Sequence, residues 1–273
     1  MPELPEVETV RQTLEPMLVG QLLAQVHLGK APLRFPQDAE AFQCLVGQPL
    51  QRLDRRGKAL LFVFPEAVLL CHLGMSGRLW LRPLGAALPP HTHAVFTFGP
   101  WQLFFVDPRR FGFFDVLKPG EVAHHWFLGK LGPEPFAVQA VVQALARKAA
   151  SRQRVRDALC DQRLVAGVGN IYACEALFAV GLHPATPLAQ ITKAKLEELA
   201  EALVRVIGKA LAAGGTTLRD GSFRNALGEP GFFAPELAVY GREGQPCPRC
   251  GALVQRCRLG ARSAFFCPRC QKG

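Results

Sequence analysis

The spacing of apolar residues predicts one helix at the start of the chain and strands after it. Val7, Val10, Leu14 and Leu18 recur at helical intervals. From about residue 22 to 116 the chain instead contains short β-rich runs broken by Gly and Pro, as strands of a sandwich or barrel are. The clearest runs are 59–64, 68–72, 94–98 and 102–106. The first half is therefore predicted to be a β-sandwich with one N-terminal helix.

The apolar pattern of the second half is helical from Ala137 until Gly214. The predicted helices span 137–148, 152–161, 171–180 and 189–212. A Gly- and Pro-containing link over residues 131–135 is the natural boundary between the two patterns. We therefore predict an α+β protein with a β-domain over 1–131, a helical domain over 136–240 and a cysteine-rich tail over 241–273.

Four cysteines near the C-terminus have the spacing of a metal site. Cys247 and Cys250 are separated by two residues, as are Cys267 and Cys270, and sixteen residues lie between the pairs. This spacing predicts four thiolate ligands for one structural Zn²⁺, which would fold the tail without taking part in chemistry. A disulfide framework is the alternative, but the large cysteine-poor body argues against it. Cys257 falls outside the pattern and is not expected to be a ligand.

Charge points to a polyanionic partner. The formal net charge is +10, and the tail from Gly241 supplies +6 of it. A second basic concentration spans residues 147–163, around the second predicted helix, and contains six cations but only two acidic residues, Asp157 and Asp161. These cations are Arg147, Lys148, Arg152, Arg154, Arg156 and Arg163. A protein that is basic only for solubility would more often spread its charge.

A hydrophobic share of 49% is enough to build cores, and no apolar run approaches the ~18 residues that cross a bilayer. The first residues also lack a basic segment followed by a long apolar run. We therefore expect a soluble, cytoplasmic protein without a membrane partner.

The first residues combine a proline with a carboxylate. Pro2 is small enough that Met1 is expected to be removed, which would leave a secondary amine at the terminus. An α-amino group titrates near ~8, so at neutral pH about a tenth of it is an uncharged nucleophile. Glu3 could shuttle the proton. The alternative is that Pro2 and Pro5 only start a helix, which leaves the Pro2–Glu3 pair unexplained.

Four short motifs each admit a structural and a functional interpretation. Asn170 immediately precedes a predicted helix and could cap it, and the segment is either an ordinary turn between helices or a helix N-terminus that binds phosphate. Lys58 starts a strand, where it could be a solvated strand end or could contact a phosphate. Met75 lies between glycines, where its side chain could fill space in the core or could insert as a wedge between bases. Arg109 and Phe111 lie on a turn, and beside Met75 they resemble a DNA probe.

Seven separated motifs together resemble the formamidopyrimidine-DNA glycosylase family over nearly the whole chain. They are Met1-Pro-Glu-Leu-Pro-Glu-Val-Glu-Thr9, Arg56-Gly-Lys58, His72-Leu-Gly-Met-Ser-Gly77, Asp107-Pro-Arg-Arg-Phe-Gly112, Gly167-Val-Gly-Asn-Ile-Tyr-Ala173, Gly214-Gly-Thr-Thr217 and the four-cysteine tail. The resemblance implies an enzyme that excises 8-oxoguanine and ring-opened purines from double-stranded DNA. It also implies a β-sandwich, a helix-two-turn-helix domain and a zinc-finger β-hairpin, with DNA between the two halves.

The resemblance also implies residue roles. Pro2 would be the Schiff-base nucleophile, Glu3 the general acid that helps open the sugar, and Lys58 a phosphate contact that assists elimination. Arg262 would grip the phosphates beside the lesion. The remaining DNA contacts would be His72, Met75, His91, Arg109, Phe111, Arg152, Asn170 and Tyr172. A loop over about 216–233 would cap the extruded base, and its composition varies within the family.

Two other functions stay open at this stage. An enzyme similar to endonuclease VIII would prefer oxidised pyrimidines, but Leu4 and the Arg109 to Phe111 turn disfavour it. A non-catalytic zinc-finger DNA-binding protein would give no reason for Pro2 and Glu3. We expect a monomer acting on damaged double-stranded DNA, associated with the nucleoid in a bacterium.

Overall fold

The computed structural model describes residues 2–218, 221 and 223–272. Its chain divides into two compact units, one comprising the residues up to Gly129 together with Ala213–Phe232, the other comprising Lys130–Ala212 and the residues from Phe233 onward. Met1, Gly273 and three residues of the predicted capping loop, Arg219, Asp220 and Ser222, lie outside the described residues.

The first unit contains two four-stranded antiparallel sheets. Its strands are β1 (Leu23–Leu28), β2 (Arg52–Arg56), β3 (Ala59–Val63), β4 (Val68–His72), β5 (Arg78–Pro83), β6 (Thr92–Phe98), β7 (Trp101–Val106) and β8 (Phe113–Leu117). One sheet has the order β1-β6-β7-β5 and the other the order β2-β3-β4-β8. Both sheets contribute side chains to one hydrophobic core, such as Phe62 and Phe96. The predicted β-rich N-terminal half is confirmed.

Helix α1 (Leu4–Leu18) packs on this core through the apolar stripe seen in the sequence. Val7, Leu14 and Leu18 are fully buried in the core cluster. A short helix, α2 (Ala39–Gln43), follows Asp38, whose carboxylate accepts hydrogen bonds from two N–H groups of its first turn.

The segment Ala213–Phe232 belongs to the first unit although it follows the helices along the chain. Phe223 and Ala226 are buried in the core of the β-sheets. The carbonyl of Ala226 accepts a hydrogen bond of 2.8 Å from the N–H of Leu81, on β5. The described residues of this segment are therefore packed against the strand that follows the Met75 loop.

The second unit is helical and ends in a hairpin. Its elements are α3 (Val138–Ala146), α4 (Val155–Cys160), α5 (Asn170–Val180), α6 (Lys193–Ala212), β9 (Gln255–Leu259) and β10 (Arg262–Phe266). All four predicted helices are present. The last begins four residues later than predicted because a separate 3₁₀ turn, Leu188–Gln190, precedes it. The hairpin packs with α5, since Cys174 and Phe178 share a hydrophobic cluster with Val254 and Ala264.

Among the described residues, no helix combines the length and the apolar character that crossing a membrane requires.

Candidate functional site

The Pro2–Glu3 pair is held at the start of α1 by a buried carboxylate. Pro2 is buried, Glu3 is 3% exposed and Glu6 is 2% exposed. The backbone N–H of Glu3 donates to Oε2 of Glu6 at 2.8 Å, as in a capping box. Oε1 of Glu6 accepts a second hydrogen bond of 2.8 Å from the N–H of Thr216. Glu6 therefore fixes the residue beside Pro2 and ties it to the segment predicted to cap the base.

Lys58 lies at the tip of a tight hairpin and is nevertheless buried. The register pairs Arg56 with Ala59, which leaves a two-residue turn, and Gly57 adopts the φ of 58° that such a turn requires. Lys58 is only 5% exposed. The interpretation of Lys58 as a solvated strand end is therefore wrong, because the hairpin turns its side chain into the protein.

His72 is a neutral hydrogen-bond donor at the end of β4. Burial, with the nearby charges of Lys58 and Arg34, lowers the pKa of His72 to about 4. Its Nδ1 accepts the N–H of Gly74 at 3.0 Å, so the proton of the neutral ring is on Nε2. The ring stacks on Phe113 with centroids 5.2 Å apart. A fixed N–H donor beside a lysine suits a phosphate oxygen, and the lowered pKa keeps the ring neutral near pH 7.

Two turns present the three predicted wedge residues to solvent. Met75 is 41% exposed, Phe111 is 42% exposed, and the Arg109 guanidinium lies 4.9 Å from the centroid of the Phe111 ring. A Cβ added to Gly74 would lie 2.5 Å from the backbone N of Gly112, so only glycine allows the two turns to meet. The structure thus places these residues on adjoining turns, as a wedge requires.

Asp107 holds both turns, although the sequence revealed no role for it. It is fully buried, and its carboxylate accepts hydrogen bonds from the N–H of Gly112 at 2.8 Å, the N–H of Arg109 at 3.2 Å and the hydroxyl of Ser76. Its carbonyl accepts from Nε2 of His93 at 2.9 Å. A buried carboxylate surrounded by donors is a rigid anchor, so Asp107 sets the geometry of the wedge.

We expect Asp107→Ala to cost about 2–4 kcal/mol of stability, because each buried N–H left without a partner costs about 1–3 kcal/mol. The measurement is the urea dependence of unfolding. The control is Asp54→Ala, which removes an exposed carboxylate paired with Arg52 and should change stability by less than about 0.5 kcal/mol. Equal, small effects of both substitutions would contradict an anchoring role for Asp107.

His91, a further predicted DNA contact, immediately precedes β6 in a conformation uncommon for a side chain larger than glycine. Its φ is 63°, and its ring is exposed. Its carbonyl accepts the N–H of Asp107 at 3.0 Å, which links this turn to the turns of the wedge.

In the second unit, Asn170 connects α5 to the hairpin. Its Nδ2 donates to the carbonyl of Ser263 at 2.7 Å. The N-cap of α5 is Gly169, so the interpretation of Asn170 as the cap is wrong; its side chain is engaged by the hairpin instead.

Three other predicted DNA contacts lie in the second unit. Arg262, next to Ser263, is exposed, and so is Arg152, whereas Tyr172 is fully buried. Their DNA contacts stay predictions.

Arg156 is a second residue that holds the hairpin. It is 3% exposed, and its guanidinium donates to the carbonyl of Leu259 at 2.6 Å. Leu259 pairs with Arg262 across the hairpin. The turn that carries Arg262 is therefore fixed by a side chain of α4 and, through Ser263, by one of α5. In the sequence, Arg156 stands out only as one of the six cations of the basic concentration over residues 147–163.

The four predicted ligands form a compact zinc site. The Sγ atoms of Cys247, Cys250, Cys267 and Cys270 all lie within 4.8 Å of one another. Two of the Sγ–Sγ distances are 3.9 and 3.5 Å, close to the roughly 3.8 Å expected for a tetrahedron with bonds of about 2.3 Å. The donors therefore fit one structural Zn²⁺. Cys257 lies on β9, outside this group.

This combination defines a class: proteins with a β-sandwich that has a proline near its N-terminus, a helical unit and a four-cysteine finger. Family models match the chain in the same order. The formamidopyrimidine-DNA glycosylase N-terminal domain matches residues 1–114, the H2TH domain of that glycosylase matches 131–222, and a zinc finger found in FPG and IleRS matches 244–273. The chain belongs to the formamidopyrimidine-DNA glycosylase family.

Individual members of this family are similar to the chain over its full length. The chain is 45% identical to a formamidopyrimidine-DNA glycosylase of Laribacter hongkongensis, with 100% of both sequences covered. It is similar to the crystal structure of the MutM (Fpg) protein from Thermus thermophilus, with a TM-score of 0.88, 42% identity, and coverage of 99% and 98%. A Lactococcus lactis Fpg mutant in complex with Fapy-dG-containing DNA gives a TM-score of 0.91 at 34% identity, with 100% of both chains covered.

Proposed function

We propose that this protein excises oxidised purines, 8-oxoguanine and formamidopyrimidines, from double-stranded DNA and then cleaves the strand at the resulting abasic site. The observation that carries the proposal is the buried Pro2–Glu3 pair at the start of α1, in a chain that matches the family over its full length. Relatives of known structure include complexes of the Lactococcus lactis enzyme with Fapy-dG-containing DNA and with DNA containing an abasic site.

The reaction begins at the terminal amine. In a chain that starts at Pro2, the secondary amine attacks C1′ of the damaged nucleotide and passes its proton to Glu3. The base leaves with the electrons of the glycosidic bond and takes a proton from water. Glu3 protonates the sugar oxygen as the ring opens, which produces an iminium between Pro2 and C1′. Glu6 assists only by position, because its carboxylate holds the N–H of Glu3.

The iminium makes elimination possible without a metal ion. The cation acidifies the proton on C2′, and loss of that proton expels the 3′ phosphate; a second elimination then expels the 5′ phosphate. Lys58 and the Nε2–H of His72 hold phosphate oxygens during these steps, and Arg262 grips the phosphates that flank the lesion. Hydrolysis of the iminium finally releases Pro2. Zn²⁺ folds the finger and takes no part in bond breaking.

The damaged base must leave the helix before Pro2 can reach C1′. Met75 and Phe111 fill the space that the base leaves, and Arg109 faces the unpaired base on the opposite strand. We place this activity on damaged double-stranded DNA, in a monomer acting in the cytoplasm or nucleoid. His91, Arg152, Asn170 and Tyr172 complete the proposed DNA contacts.

The test is cleavage of duplexes that carry 8-oxoguanine, a formamidopyrimidine or an oxidised pyrimidine, each opposite all four bases. We expect preference for the two purine lesions and a covalent adduct that borohydride traps. Preference for the oxidised pyrimidine would instead indicate specificity similar to that of endonuclease VIII. Binding without any trapped adduct would show a non-catalytic DNA-binding protein.

Arg109→Ala is expected to reduce discrimination between opposite bases more than it reduces cleavage at a preformed abasic site. A correct hydrogen-bonded contact to a base contributes about 1–3 kcal/mol of discrimination, and an abasic site contains no stacked base to extrude. The measurement is the single-turnover rate on both substrates, with Arg52→Ala, an exposed cation paired with Asp54, as the control. Equal losses on both substrates would indicate that Arg109 is only structural.

A further inference from the structure

Two exposed aromatic side chains meet on the first unit and have no role in the proposed reaction. Phe35 is 40% exposed and Trp126 is 47% exposed, and their ring centroids lie 5.6 Å apart. Both rest against Phe113, which is only 3% exposed, at 5.5 and 5.6 Å. We call these three residues the aromatic ledge. Aromatic residues stabilise a protein most when they are buried, so two adjoining exposed rings on a rigid support suggest a binding surface.

The ledge is continuous with the proposed phosphate contact. The ring of His72 is stacked on Phe113, the buried member of the ledge, with centroids 5.2 Å apart and an interplanar angle of 15°. Arg34 lies close enough to His72 to help lower its pKa, and the same guanidinium lies 5.4 Å from the centroid of the Phe35 ring. The aromatic rings of the ledge therefore adjoin two groups that could bind a phosphate, Arg34 and His72.

This combination of groups fits single-stranded DNA. A nucleobase offers a flat face to an aromatic ring, and the chain that carries it offers a phosphate to Arg34 or His72. Bases in a duplex are already stacked on their neighbours, so only an unpaired base can use an exposed ring. A protein partner would explain the exposed rings, but it would not explain why they lie beside Arg34 and beside His72, a hydrogen-bond donor for phosphate.

We propose that the aromatic ledge binds an unpaired nucleobase of single-stranded DNA that continues from the lesion-containing duplex. The enzyme would then bind lesions near a junction between double and single strands more tightly than the same lesions in a full duplex. The inference rests on the proposed function, since it takes lesion-containing duplex DNA as the substrate and His72 as a phosphate contact.

The test compares affinities for DNA that cannot be cleaved. The probes contain a tetrahydrofuran abasic analogue in a full duplex, or in a duplex that becomes single-stranded two base pairs from the analogue on its 5′ or its 3′ side. Fluorescence anisotropy gives the dissociation constants. We expect one of the two junctions to bind about fivefold more tightly than the full duplex, or better.

Paired substitutions show whether stacking is responsible. Phe35→Leu with Trp126→Leu keeps apolar volume but removes both ring faces, and should abolish the preference for the junction while changing full-duplex binding less than about twofold. Phe35→Tyr with Trp126→Phe keeps the faces and should retain the preference. Phe136→Leu, at a 47% exposed ring of the second unit, is the control and should behave as the unaltered protein.

Three results would overturn the proposal. The first is equal affinity for all three probes, and the second is a junction preference that survives in the leucine double variant. The third is self-association of the unaltered protein, measured by light scattering, that the leucine double variant abolishes. The last result would assign the ledge to contact with a second copy of the chain. Failure of the proposed function is distinguishable, because it would appear as absence of nicking of fully paired 8-oxoguanine duplex.

Discussion

A form of the protein that retains Met1 is expected to lose covalent trapping on 8-oxoguanine duplex by more than about a thousandfold, the scale on which removal of a catalytic nucleophile slows other enzymes. With Met1 attached, the Pro2 nitrogen is part of a tertiary amide and has neither a proton nor a basic lone pair. It cannot attack C1′ or become an iminium. The new terminal amine of Met1 would also lie one residue farther from the position of Pro2.

The experiment measures intact mass and borohydride trapping for two preparations, one starting at Pro2 and one with Met1 deliberately retained. Binding to DNA with a tetrahydrofuran abasic analogue serves as the control, since blocking the amine should leave most phosphate contacts in place. Equal trapping by both preparations would show that another amine is the nucleophile. Lys58 would be the first candidate, because it is buried beside His72.

The fold was predictable because its elements have local signatures. The runs 59–64 and 68–72 lie on β3 and β4, where the apolar residues are consecutive because both faces of these strands are buried. The sequence does not indicate strands β2 and β5, since Arg52–Arg56 and Arg78–Pro83 carry several cations that mask their alternation. Their pairing with β3 and β7 supplies what the local pattern lacks.

The zinc site was predictable for the same reason, whereas the residues that position the reactive groups were not. Two-residue spacing places each cysteine pair on one tight turn, so four ligands can be read from the sequence. The hydrogen bond from Thr216 to Glu6 joins residues 210 positions apart, and that from Asn170 to Ser263 joins residues 93 positions apart. No local pattern indicates such pairs. They arise only when the complete unit folds.

Cys250→Ser is expected to abolish nicking, by more than about a hundredfold, while the first unit stays folded. Structural zinc in small finger domains contributes about 10–16 kcal/mol, and that free energy is local folding energy. Two of the cysteine ligands, Cys247 and Cys267, lie in a hydrophobic cluster with Phe178 of α5 and Val254. Loss of the metal should therefore release the turn that carries Arg262 and loosen its packing on α5.

Loss of zinc should not unfold the first unit, because the core of that unit consists of its own side chains. These include residues of its strands, of α1 and of the segment that contains Phe223. We would measure bound zinc, nicking of 8-oxoguanine duplex and limited proteolysis, and expect a protease-resistant fragment from the N-terminal half. Cys257→Ser is the matched control: Cys257 is on the same hairpin but is not a ligand, so zinc content and nicking should change less than about twofold. Full activity in a zinc-free Cys250→Ser protein would show that phosphate contacts from the finger are dispensable, and Arg262 would then have no place in the reaction.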